Sequence, residues 1–163
     1  MASMDSSICS VGVKIIFLGN ARVLCEDIGP AAATSGSAGF DLVAALPEDA
    51  LEIEVAAGER VIIPTGIAIE PTRSGVAGFV YSRSGLGAVR GLTVAQGVGL
   101  IDPDYRGEII VYILNTSSMP QRLRRGDRVA QLVFQPFYPP VWEVCEVLGE
   151  TTRGSGGFGH TGQ

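Results

Sequence analysis

Histidine occurs once in the 163 residues, at His160, so no site that needs two imidazoles can be built here. Cysteine occurs three times, at Cys9, Cys25 and Cys145. The number is odd, the spacings are long and no Cys-x-x-Cys pair exists, which speaks against a zinc site or a disulfide framework and for a reducing compartment. No apolar run approaches the roughly 18 residues of a membrane span. Residues 1–13 lack a basic n-region and a long apolar h-region, so they do not read as a signal peptide but as a partly disordered lead-in. These absences place the chain in the cytoplasm, away from membranes. Charged residues are only 18% of the chain, and 12 Lys and Arg stand against 17 Asp and Glu, for a net charge of −5. That balance provides no basic face for nucleic acid. Helical periodicity is nearly missing, as are a Walker-type loop, a Ser/His/Asp order and metal-ligand spacing.

What is present is apolar: 46% of the residues are hydrophobic. The length fits one domain, able to bury roughly 70% of its unfolded surface. The apolar excess is expected to cover a subunit interface. Residues 51–55 alternate apolar and polar, as a half-buried strand does, and 61–63 form a short buried run before a Pro64-Thr65-Gly66 turn. Residues 14–18, 67–70, 78–81, 108–114, 129–134 and 141–147 read as further strands, short, β-branched and bounded by turn formers. Many short strands at this spacing imply an all-β, jelly-roll-like barrel or sandwich. Only 84–89 looks helical. A single domain over 1–148 and a glycine-rich arm over 149–163 are expected.

The arm reads Arg153-Gly154-Ser155-Gly156-Gly157-Phe158-Gly159-His160-Thr161-Gly162. Alone it is a mobile tail, but glycine amides approach phosphate oxygens closely, arginine pairs with them and an aromatic ring stacks on a base. Residues 82–87, Ser-Arg-Ser-Gly-Leu-Gly, place a guanidinium, a hydroxyl and backbone amides at a strand end, a set that suits phosphate. Residues 99–107, Gly-Leu-Ile-Asp-Pro-Asp-Tyr-Arg-Gly, are good β-turn chemistry, and a carboxylate there also suits a general base. In 125–131, Arg-Gly-Asp-Arg-Val-Ala-Gln, Asp127 and Arg128 read as a turn salt bridge, whereas Gln131 breaks an apolar strand with an amide that needs partners. Asp41, in Ser37-Ala38-Gly39-Phe40-Asp41-Leu42, is either hydrogen-bonded structure or faces a cation-bound phosphate.

These five segments, together and in this order, resemble the five motifs of the trimeric dUTPase family, in its bacterial form, from about Lys14 to the C-terminus. The resemblance implies a jelly-roll (β-clip) homotrimer that hydrolyses dUTP to dUMP and pyrophosphate with Mg²⁺, each site being built by more than one subunit and closed by an arm. Residue by residue, it implies that Asp102 is the general base and touches the 3′-hydroxyl, and that Tyr105 packs under the deoxyribose. A hairpin from Gln96 through Gly99, Leu100 and Ile101, with the facing strand near Ile110, would read uracil and exclude a 5-methyl group. Arg83, Ser84 and Gly85 would hold phosphates, and Gln131 would sit at the α-phosphate or the water. Arg153 would pair with the terminal phosphate, Phe158 would cover the base, and Gly157, Gly159, His160 and Thr161 would complete the grip. Asp41 would stand in the outer shell of Mg²⁺. Three residues depart from the usual pattern: Gln96 where asparagine is frequent, Ser82 where proline is, and His160 where serine is. dCTP deaminase shares the fold, but its catalytic glutamate matches Tyr112 here, and it lacks the arm. A catalytically silent nucleotide-binding trimer is the other alternative.

Overall fold

The structure, a computed structural model, describes residues 10–26 and 36–157. Eleven strands follow one another with little helix among the described residues: β1 Val13–Phe17, α1 Ala21–Glu26, β2 Phe40–Val43, β3 Glu52–Val55, β4 Arg60–Pro64, β5 Ile67–Pro71, β6 Val76–Tyr81, a π-helical turn Gly85–Val89, β7 Leu92–Val94, β8 Gly99–Ile101, β9 Ile110–Asn115, β10 Gln121–Arg124 and β11 Arg128–Pro136. All pairings are antiparallel. They make sheets of order β2-β11-β6-β8, β4-β9-β7, β1-β5 and β3-β10. No described sheet closes on itself. The result is a jelly-roll-like sandwich rather than a barrel.

The sheets share one core because their inward positions are β-branched or leucine. Leu42, Ile63, Ile113, Leu123 and Leu132 come from five different strands and are almost fully buried in it. Each such side chain contributes about 1.5–3 kcal/mol by leaving water. Alternation places the charged partners outside, where Arg122 and Arg124 of β10 pair with Glu52 and Glu54 of β3. The hydrogen bond from Arg124, with the nearby arginine charges, holds the Glu52 carboxyl below its usual range. Beneath the far end of β9, Asn115 is fully buried; its amide donates to the Val55 and Met119 carbonyls at 2.9 and 2.8 Å, and its oxygen accepts from the Ser117 N–H.

Three expectations change. Residues 141–147, expected as a strand, pair with nothing among the described residues. Val141, Trp142 and Val144 are 98%, 85% and 99% exposed, because a strand without a hydrogen-bonding neighbour has no reason to fold back. Helix α1 was not expected; it is six residues long, too short for periodicity to register, although Asn20 ahead of it is a capping residue type. Strands β7 and β8 do not form a hairpin with each other. β7 pairs with β9 and β8 pairs with β6, so residues 95–98 bridge two sheets.

Candidate active site

Antiparallel pairing places Gln131 of β11 opposite both Asp41 of β2 and Tyr81 of β6. The chain that leaves β6 at Tyr81 therefore brings Ser82, Arg83 and Ser84 beside Gln131 and Asp41. Gly39 permits this close approach, since a Cβ there would lie 2.9 Å from Val133 Cγ2 and 3.0 Å from the Leu132 carbonyl oxygen. A cavity of about 510 Å³ opens at this point, lined by Gly39, Asp41, Arg83, Ser84, Gly85 and Gln131 among others.

Asp41 is the acid of this cavity, and its side chain is 13% exposed. Arg83 Nε donates to Asp41 Oδ1 at 2.6 Å and its Nη2 reaches Oδ2 at 3.4 Å, a two-pronged contact. Arg128 Nη1 reaches the same Oδ2 at 3.3 Å. Arg128 is thus a member of the site that the reading of the turn missed. Asp127, its expected partner, instead caps the turn by accepting from the Arg124 N–H at 2.8 Å. Gly126 turns the chain at a φ of +85, which sends Arg128 on to β2's edge. Two guanidiniums against one carboxylate, with a hydroxyl and an amide alongside, suit a polyanion.

Ser82 ties this cavity to its surroundings. Its hydroxyl accepts from the Val94 N–H at 2.8 Å, and its carbonyl accepts from Gln131 Nε2 at 3.1 Å. Ser84 opens the π-helical turn with helical angles but makes no side-chain cap. It lines the cavity next to Gly85.

The other expected residues stand elsewhere. Gln96, Leu100, Asp102 and Tyr105 are exposed, Ile101 is half-buried and Gly99 is buried against Val80. The main-chain group facing the 95–98 segment is the Tyr112 carbonyl, which accepts from the Ala95 N–H at 2.8 Å. Ile110 is paired with Pro64 on the other side of β9, two residues away from that contact. In the turn after β8, the Tyr105 N–H donates to the Asp102 carbonyl at 3.1 Å, which closes the turn, and Tyr105 Oη donates to the Glu108 carbonyl at 2.9 Å, which tethers the ring.

This second cluster cannot meet the first within one chain. β2 and β8 lie three strand spacings apart in their sheet, roughly 14 Å. Asp41 is level with Tyr81, whereas Ile101 is level with Gly78, so Asp102 falls roughly 13 Å further along the strands. Asp41 and Asp102 are therefore on the order of 20 Å apart. The described part of the arm bonds within itself: Arg153 Nε donates to the Gly156 carbonyl at 2.8 Å, and Gly157 is exposed. Phe158, Gly159, His160 and Thr161 lie outside the described residues.

The dUTPase family model matches residues 27–162. Deoxyuridine 5′-triphosphate nucleotidohydrolase of Desulfitobacterium hafniense is 49% identical over 133 residues, 82% of this chain and 86% of that protein. The protein of the same name from Shewanella sediminis is 46% identical over 152 residues, 93% and 96% of the two chains. In three dimensions, the dUTPase from Streptococcus mutans matches with a TM-score of 0.64 at 28% identity, over 80% of this chain and 99% of that one. Staphylococcus bacteriophage 80alpha dUTPase with dUPNHPP matches with a TM-score of 0.78 at 22% identity, over 93% and 99%, a likeness of fold. By this agreement over nearly its whole length, the chain belongs to the dUTPase family.

Proposed function

We propose that the protein hydrolyses dUTP to dUMP and pyrophosphate in a homotrimer whose active sites lie between copies. The observation that carries this reading is the separation of two complementary clusters by about 20 Å in one chain. Arg83, Ser84, Gly85, Gln131 and Arg128 have the chemistry for a triphosphate, and Asp102 and Tyr105 have that for a water and a sugar. A cyclic assembly joins one copy's phosphate cluster to a neighbour's Asp102 cluster. The exposed Tyr138, Val141, Trp142, Val144, Val147 and Leu148 supply apolar surface for a copy to cover. Residues 1–148 are the β domain in this reading, and 149–163 the closing arm.

Asp102 takes the proton of a water as its oxygen attacks the α-phosphorus. The bond from that phosphorus to the bridging oxygen breaks, and pyrophosphate leaves with the electron pair. Gln131, held by the Ser82 carbonyl, aligns the α-phosphate or the water. Arg83 trades part of its contact with Asp41 for phosphate oxygens, and Arg128 keeps Asp41 in place. Loop 96–101 reads the uracil edge, Tyr105 bars a 2′-hydroxyl, and Arg153 with residues 157–161 closes over base and phosphates. Excluding bulk water strengthens each charged contact.

Mg²⁺ fits this set only as a companion of the substrate. Among the described residues no three His, Cys, Asp or Glu side chains cluster as metal ligands. A lone carboxylate already holding two guanidiniums suits a water on a metal that the phosphates bind. When bound, Mg²⁺ would neutralise charge on the triphosphate. In a cell the reaction would limit uracil in DNA and supply dUMP for thymidylate, a cytoplasmic task. No described helix is long and apolar enough to cross a membrane.

The test is pyrophosphate release from dUTP, dTTP, dCTP and UTP, each with Mg²⁺ and with chelator. Mg²⁺-dependent release from dUTP alone is expected. Binding without release would point to a silent trimer, and ammonia from dCTP to a deaminase.

A further inference from the structure

Gly107 does not have a left-handed φ, unlike Gly97 or Gly126, so the backbone does not demand glycine there. Space does. A Cβ on Gly107 would overlap Tyr105 Oη and lie 2.6 Å from its Cζ and 3.0 Å from its Cε2. Carbon atoms in ordinary contact stay about 3.5 Å apart, so one partner would have to retreat by about 1 Å.

The backbone is the partner that cannot. Glu108 Oε1 accepts from the Gly66 N–H at 2.7 Å. The fully buried Ile109 accepts at its carbonyl from Thr65 Oγ1 at 2.6 Å, and its N–H donates to the Ile67 carbonyl at 2.9 Å. The 65–67 turn is braced in its own right: Gly66 has a φ of +66, and a Cβ there would overlap that of Ala21. Tyr105, by contrast, is 45% exposed, and its ring is tethered by the single hydrogen bond from Oη to the Glu108 carbonyl.

We propose that Gly107 is a positioning residue for sugar selection: its missing side chain is the seat on which the Tyr105 ring rests, and that seat sets how closely the ring approaches carbon 2′ of the nucleotide. The proposal rests on the reading that Tyr105 packs under the deoxyribose. It adds that the ring's place is dictated from behind, by a glycine that never touches substrate. A displacement of 1 Å at a site of this kind costs on the order of 10²-fold in rate.

The experiment measures kcat/KM for dUTP and for UTP, as pyrophosphate release, in the wild type, Gly107→Ala, Tyr105→Ala and the double variant. Gly107→Ala is expected to lower the dUTP-to-UTP ratio by about tenfold or more, chiefly through KM for dUTP. Tyr105→Ala should lower it too, and the double should be no worse than Tyr105→Ala, because the alanine at 107 then has no ring to displace. A wild-type ratio in Gly107→Ala beside a reduced one in Tyr105→Ala overturns the proposal and leaves the sugar-wall reading standing. A further fall in the double also overturns it, since Gly107 would then act without the ring. An unchanged ratio in Tyr105→Ala removes the sugar-wall reading and the proposal with it. If Gly107→Ala fails to fold, a double that folds supports the clash, and one that fails shows that the glycine serves the backbone alone.

Discussion

Replacing Asp41 by asparagine keeps the shape of the side chain and removes its charge. In the native chain that carboxylate sits 13% exposed between Arg83 at 2.6 Å and Arg128 at 3.3 Å. Its loss leaves two guanidiniums facing each other with no counter-charge. Exposed ion pairs are worth roughly 0–1 kcal/mol, and breaking a buried one costs roughly 3–5. Asp41 is well covered, but Arg128 is 47% exposed and can swing to water. The expected cost is therefore intermediate, about 1–3 kcal/mol, or a fall in Tm of about 2–10 °C for a chain of this length. Because the residual repulsion is screened by ions, the loss should shrink as salt rises. The same substitution should split binding from turnover. Arg83, released, and a cavity without the Asp41 charge should hold the triphosphate at least as well in chelator as the wild type does. Turnover at saturating Mg²⁺ should drop at least tenfold, since a neutral amide oxygen accepts from the metal's waters more weakly than a carboxylate and brings no charge. Thermal unfolding at two salt concentrations, chelator-phase binding of a non-hydrolysable dUTP analogue and steady-state rates make the check. An unchanged Tm with unchanged Mg²⁺ dependence would refute the reasoning about Asp41.

Other outcomes follow from the same geometry. Asp102→Asn, on an exposed turn, should fold and bind dUTP with Mg²⁺ yet turn it over roughly 10²–10⁴ times more slowly; a near-normal single-turnover rate would remove Asp102 from the base role. Ser82→Ala leaves the Val94 N–H without its 2.8 Å acceptor and should cost about 1–3 kcal/mol by denaturant unfolding, with a lower kcat, because the chain that carries the Gln131 partner is loosened. Deleting residues 149–163 should leave an assembled, stable protein with little activity, as the described part of the arm bonds only to itself; size-exclusion chromatography with an activity assay tests both halves of that statement.

Much of the β scaffold was legible because local patterns and tertiary needs coincide. The apolar run 61–63 and the Pro64-Thr65-Gly66 turn become β4 and the turn into β5, and the apolar strand interrupted by Gln131 becomes β11. Where a strand's meaning depends on its neighbour, the sequence is silent. Residues 141–147 have the valines of a strand and no partner among the described residues. Arg128 has a tempting local partner in Asp127, yet the register of β11 on β2, with an irregularity between Arg128 and Ala130, hands it to Asp41 instead. The overlap of Gly107 with Tyr105 is invisible for the same reason, since it arises only when the turn folds back on itself. Motif order names candidate residues and, through the resemblance, a site shared between subunits, but not which of those residues lie far apart in one chain.

That separation is the central claim, and mixed trimers test it most directly. Asp102→Asn and Arg83→Ala proteins, each nearly inactive, would be unfolded together in equal amounts and refolded. If every site takes Asp102 from one copy and Arg83 from the next, a random mixture holds both native residues in about one site in four. The account predicts recovery of about a quarter of wild-type activity per chain. Activity no higher than the mean of the two parents would contradict it and place the whole site within one chain.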